Sequence, residues 1–124
     1  MSVNKELLKK VRDIIVEEPK RLNMRYWGVH ETLTDPVFFT DKIEYPSCGT
    51  VACLAGWTIL AQHPRENWKR ILNVKGGAFG VSIAHEAIEA LGLNEEYYET
   101  LKFFNSFNKS NDEVLAWIDG HLAS

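Results

Sequence analysis

Apolar residues recur at three- and four-residue steps near both ends of the chain, and the middle breaks that rhythm. Leu7, Leu8, Val11, Ile14 and Ile15 share one helical face, with Lys5, Lys9, Arg12, Asp13 and Glu17 mostly opposite. This pattern predicts a helix over residues 4–18, ended by Pro19. In the second half, Ser82 is placed to cap a helix through Leu91 that buries Ile83, Ala84, Ala87, Ile88 and Leu91, and Gly92-Leu93 is a helix-stop signal. Asn94 is then expected to cap a helix with Glu95 and Glu96 in its first turn, carrying Tyr97, Tyr98, Leu101, Phe103 and Phe104. The last helix has the clearest start. Ser110-Asn111-Asp112-Glu113 has the spacing of a capping box, followed by Val114, Leu115, Trp117, Ile118 and Leu122.

Between these amphipathic segments, residues 47–62 hold no formal charge, both cysteines, two glycines and a tryptophan. A helix that is apolar all round must be surrounded by protein or lipid. From Thr50 to Gln62 it is too short to cross a bilayer, which takes about 20 apolar residues. The segment is therefore expected to be a buried central helix over about 50–62, with Pro64 stopping it. Gly49, Ala52, Cys53 and Gly56 would form a strip of small side chains on one face, open to close approach by a neighbour.

From Lys20 to Pro46 neither period holds for long. Met24, Tyr26, Trp27, Val37, Phe38, Phe39, Ile43 and Tyr45 are bulky but irregularly spaced, and Pro36 and Pro46 interrupt them. A short helical turn near residues 22–27 is expected, then an irregular aromatic-rich segment at about 28–47. Residues 64–72 read as a short helix with Pro64 in its first turn and Trp68, Ile71 and Leu72 inward. Gly76-Gly77 and Gly80 mark a loop. The expectation is an all-α fold: a compact bundle of five or six helices around the central one, forming a single helical domain over 1–124.

Composition changes this picture little. The chain has 124 residues, 45% hydrophobic and 25% charged, which is enough to bury a core without disulfide or metal staples. A net charge of −3 with no basic block gives no footprint for nucleic acid; Lys9-Lys10 and Lys20-Arg21 are isolated pairs. Val3, Leu7 and Leu8 are interleaved with charges, unlike a secretory signal, so a cytoplasmic location without membrane contact is expected. Two cysteines five apart on one helix would stand about 7.5 Å apart along its axis, beyond the roughly 7 Å limit for a disulfide. Free thiols are the expectation.

Met24-Arg25-Tyr26-Trp27, Cys48-Gly49-Thr50-Val51-Ala52-Cys53-Leu54-Ala55-Gly56-Trp57, Ala90-Leu91-Gly92-Leu93 and Leu101-Lys102-Phe103-Phe104 together resemble a loose group of small uncharacterised bacterial and phage proteins. That group is similar in a Met followed by an aromatic, a Cys-Gly-Thr-x-x-Cys-x-Ala-Gly core and a Leu-Gly-Leu turn before a Leu-Phe pair. The likeness covers about residues 20–105, and it implies no activity, cofactor or catalytic residue.

Cys48, at the expected mouth of the central helix, is the one candidate nucleophile, because a helix N-terminus stabilises a thiolate. His30, His63, His85 and His121 are candidate bases, with His85, placed in a glycine-rich approach to its helix, the first choice. Against this stands the ordinary role of a small buried thiol. Structural zinc needs closely spaced ligand pairs that are not in this sequence. Gly76-Gly77-Ala78-Phe79-Gly80 lacks the Lys-Ser/Thr of a phosphate loop. No cofactor is indicated. Glu17-Glu18 and Glu95-Glu96 read as solvated charge on helix ends. The helix-turn-helix spacing over residues 82–104 would turn Glu95, Glu96 and Glu99 towards phosphates. With no coherent catalytic set, the leading expectation is a non-enzymatic protein-interaction module. Its contact surface would be Tyr26, Trp27, Phe38, Phe39 and Tyr45, since aromatics dominate interface hot spots. The alternative is a thiol-dependent enzyme using Cys48 and His85.

Overall fold

A computed structural model describes residues 3–24, 29–30, 50–68, 70–71, 81–104, 106 and 109–123. The fold is all-α. Helix α1 spans Lys5–Glu17, and Asn4 caps it by accepting a hydrogen bond from the Leu7 N–H. Leu7, Leu8, Val11 and Ile15 are buried along the face that their spacing predicts. Asn4 also donates from its backbone to the Leu91 carbonyl at 2.8 Å and from its side chain to Ala90 at 3.2 Å. One residue thus satisfies the start of α1 and the end of a second helix.

The central helix α2 is shorter than its apolar run predicts, spanning Leu54–Leu60 rather than 50–62. Thr50–Val51 forms strand β2, antiparallel to strand β1 at Val29–His30, with Val29 opposite Val51 and His30 opposite Thr50. Ala52 makes a parallel bridge with Leu22, and Cys53 is extended. β-branched Thr50 and Val51 suit this pairing, and Ala52 uses both its backbone groups across it. Consequently the strip of small residues does not form on one helix: Ala52 and Cys53 precede α2, and Gly49 lies outside the described residues. Every residue of α2 is buried, as a helix without a polar face requires.

Leu22 is bridged, so the turn expected at 22–27 is replaced by a 3-10 turn at Pro19–Arg21; residues 25–27 lie outside the described set. Beyond α2, a 3-10 turn at Arg65–Asn67 follows Pro64 and leads into buried Trp68, whose indole N–H donates to the Leu60 carbonyl at 2.9 Å. Trp68 meets Trp57 edge to face.

Helix α3, Val81–Leu91, buries Ile83, Ala84, Ala87, Ile88 and Leu91 as predicted, and packs most extensively against α2. It includes Ser82, which is therefore inside the helix instead of capping it. Gly92 has φ 73°, and the Gly92 and Leu93 N–H groups reach back to Glu89 and Ile88 in a Schellman stop. Asn94 opens a 3-10 turn, Asn94–Glu96, and is not a side-chain cap; Leu93 occupies that position. Helix α4 follows at Tyr97–Phe104 and buries Thr100 and Phe104. Helix α5, Asn111–Ala123, buries Val114 and Ile118, and at its start Ser110 Oγ accepts from the Glu113 N–H at 3.2 Å. Arg12 pairs with Asp119 at 2.7 Å, joining α1 to α5. No helix among the described residues is long and apolar enough to cross a membrane.

Candidate functional site

The approach to α2 is a neck in which residues 21–24 lie beside residues 50–53. Ala52 N–H donates to the Arg21 carbonyl at 2.9 Å, and Asn23 N–H donates to the Ala52 carbonyl at 3.1 Å. The same Arg21 carbonyl accepts from the Trp57 indole at 2.8 Å, fixing the largest side chain of α2 to the neck. Two sulfurs receive the first free N–H groups of α2. Met24 Sδ accepts from Leu54 at 3.4 Å and Cys53 Sγ from Gly56 at 3.5 Å. Sulfur is a weak acceptor, yet it spares buried donors from having none.

Arg21 is a buried cation, only 2% exposed. Its guanidinium donates to the Ile14 carbonyl at 2.8 Å and lies 3.3 Å from Glu17 and 3.8 Å from Glu18. Glu17 and Glu18 therefore hold the end of α1 through Arg21, where the sequence suggests only solvated charge. Arg21 Nε has no hydrogen-bond partner among the described residues.

Cys48, Tyr26, Trp27, Phe38, Phe39 and Tyr45 lie outside the described residues. The mouth of α2, where Cys48 was expected, is occupied by Cys53. Cys53 is a free, buried thiol, and burial pushes its pKa up to about 11 against weaker lowering by the Gly56 and Ala55 backbone hydrogen bonds. A thiol held neutral in this way is inert. His85 is exposed on the body of α3, not at a glycine-rich approach. Its Nδ1 lies 3.4 Å from the Tyr97 hydroxyl and its Nε2 lies 3.2 Å from Glu89. His63 is exposed after α2, and His121 Nδ1 lies 2.9 Å from the Trp117 carbonyl. Among the described residues no two of these histidines gather with Cys53. Among the described residues no group of three His, Cys, Asp or Glu side chains could hold a metal.

Two grooves border the α3–α4 hairpin. One, about 410 Å³, lies between the end of α2 and α3 and is lined by Ile59, Gln62, His63, Glu86, Glu89 and Ala90. The other, about 390 Å³, runs along residues 94–99. Tyr98, which helps line it, is 83% exposed.

No protein-family model, curated protein or solved structure matches this chain. The site's reading therefore rests on its own geometry.

Three residues of structural consequence are not singled out by the sequence pattern: Arg21, Met24 and Tyr98. An arginine just past a helix end can reach the last carbonyls, so Pro19-Lys20-Arg21 carried a usable signal. Nothing local marks Met24 as a cap, because the donor it serves is 30 residues away.

Proposed function

We propose that this protein is a non-enzymatic, cytoplasmic helical module that binds another protein, or a second copy of itself, through Tyr26, Trp27, Phe38, Phe39 and Tyr45. The supporting observation is the short ladder that sets Val29 opposite Val51 and His30 opposite Thr50. That ladder pairs His30 and Thr50, the residues on either side of segment 31–49, next to the neck of a fully buried helix. Segments carried on a rigid frame are where binding residues concentrate, and aromatic side chains supply most interface energy.

A thiol enzyme using Cys48 and His85 draws no comparable support. The helix start invoked for its nucleophile belongs to a different cysteine, and the His85 ring is engaged by Tyr97 and Glu89.

Size-exclusion chromatography with light scattering, together with pull-downs from a tagged chain, tests the proposal. The expected result is self-association or a retained protein that is lost on combining Phe38→Ser and Phe39→Ser while the helical circular dichroism is unchanged. A strict monomer that retains nothing, indifferent to both substitutions, contradicts it.

A further inference from the structure

Two buried donors where the neck meets α2 go to sulfur, the Leu54 N–H to Met24 Sδ and the Gly56 N–H to Cys53 Sγ. An acceptor in such a place is ordinarily a side-chain oxygen, which a peroxide leaves alone. The two sulfurs differ in what a peroxide can do to them. Cysteine reacts as the thiolate, and burial keeps Cys53 a neutral thiol with its pKa pushed up to about 11. Met24 is a thioether with no proton to lose, so its lone pair is open to oxidation at any pH. It is 4% exposed against 1% for Cys53, and it directly follows Asn23, whose N–H donates across the neck to the Ala52 carbonyl. The chain's other methionine is Met1.

We propose that Met24 is an oxidation-sensitive latch: as the thioether it closes the neck onto α2, and as the sulfoxide it opens it. The oxidant is a hydroperoxide. The sulfur attacks one peroxide oxygen, an S–O bond forms as the O–O bond breaks, and the departing oxygen takes up the proton, so hydrogen peroxide leaves as water. The product does not fit the same place. An N–H···O bond takes about 2.9 Å, so no oxygen enters between the Leu54 nitrogen and a sulfur 3.4 Å from it unless one of them moves. An oxygen turned the other way goes among the apolar residues packed around Met24, where its dipole is buried. In either case the Met24 side chain shifts, and the pairing of its neighbour Asn23 with Ala52 is lost. Methionine sulfoxide reductases reverse the step, so the latch can close again. The latch stands on the neck geometry and does not need the aromatic contact surface proposed above.

The test treats the folded full chain with hydrogen peroxide, locates the added oxygen by peptide mass spectrometry and follows amide exchange by NMR before and after. One oxygen is expected on Met24 without denaturant, and the Asn23 and Ala52 amides should then exchange about 10- to 100-fold faster while Ile88 in α3 is unchanged. A methionine sulfoxide reductase with a dithiol should restore the slow rates. Met24→Leu has no sulfur at this place, so peroxide should leave its Asn23 and Ala52 rates where they started, whatever its stability. The proposal is overturned if Met24 is oxidised only in urea that unfolds the chain, or if its oxidation leaves Asn23 and Ala52 unchanged. Equal acceleration at Ile88 would mean general damage to the core and overturns it too. So does a change that the reductase does not reverse, or the same peroxide response in Met24→Leu.

Discussion

Helices α2 and α4 differ by one residue in length, and both are rich in large apolar side chains, yet they use them in opposite ways. All of α2 is buried, its indole is tied to the neck and its first donors are met by sulfur. Helix α4 buries only Thr100 and Phe104 and turns Tyr98 and Glu99 outward. The difference follows from charge. Leu54–Leu60 has no charged residue and no face that can meet water, so other elements must enclose it. In Tyr97–Phe104, Glu99 and Lys102 define a wet side, and Tyr98 is carried onto it. Helix α2 holds the fold from inside; α4 keeps one side in water.

The largest effect should come from removing the centre of the buried helix. Trp57→Ala opens a cavity and deletes the hydrogen bond to Arg21, costing about 3–5 kcal/mol in urea unfolding, enough to unfold a marginal domain. A loss below about 1 kcal/mol would erase the contrast between α2 and α4.

The buried thiol sharpens the same contrast through pH. Cys53 titrates at about 11 in the folded chain against an ordinary value of 9.0. Below pH 9 both folded and unfolded chains hold the proton. As pH rises from there towards 11 the unfolded chain releases it first, so stability falls across that window by about 2–3 kcal/mol. Cys53→Ser keeps a cap acceptor and lacks this titration, so its stability should fall less steeply than wild type over the same range. Parallel curves would mean that the thiol is not buried in solution. Iodoacetamide should likewise reach Cys53 only after unfolding.

At the edge of the fold, Ser110→Ala removes the acceptor for the Glu113 N–H and should cost about 1 kcal/mol in urea unfolding. Glu113, held below its usual carboxyl range by its hydrogen bond from Lys109, remains ionised in that variant at neutral pH. The smallest effect belongs to the exposed ring. Tyr98→Ser should change stability by less than about 0.5 kcal/mol.

Much of this architecture is legible in the sequence because its signals are local. The apolar stripe of α1, the five buried positions of α3, the Gly92 stop and the Ser110 cap each depend on residues within a turn or two. The start of α2 was not legible. Thr50 and Val51 continue an apolar run, and only pairing with Val29–His30, 20 or more residues away, turns them into strand, while Leu22 bridges the next residue, Ala52. That same non-local pairing moved the helix mouth from Cys48 to Cys53. The burial of Arg21 was not legible, because its partners, the Ile14 carbonyl and Glu17, become neighbours only when the chain turns at Pro19. Which way Tyr98 faces was not legible either, because helical spacing alone does not say how α4 is rotated against α3.

The central claim is that the neck is as firm as the helix it leads into. Amide hydrogen exchange followed by NMR tests this directly at the Asn23 and Ala52 N–H groups, which donate across the neck. Both should exchange only with global unfolding, at the same free energy as Trp57 and Ala61 in and just after α2. Exchange of Asn23 and Ala52 through a smaller opening, while the α2 amides stay protected, would contradict it.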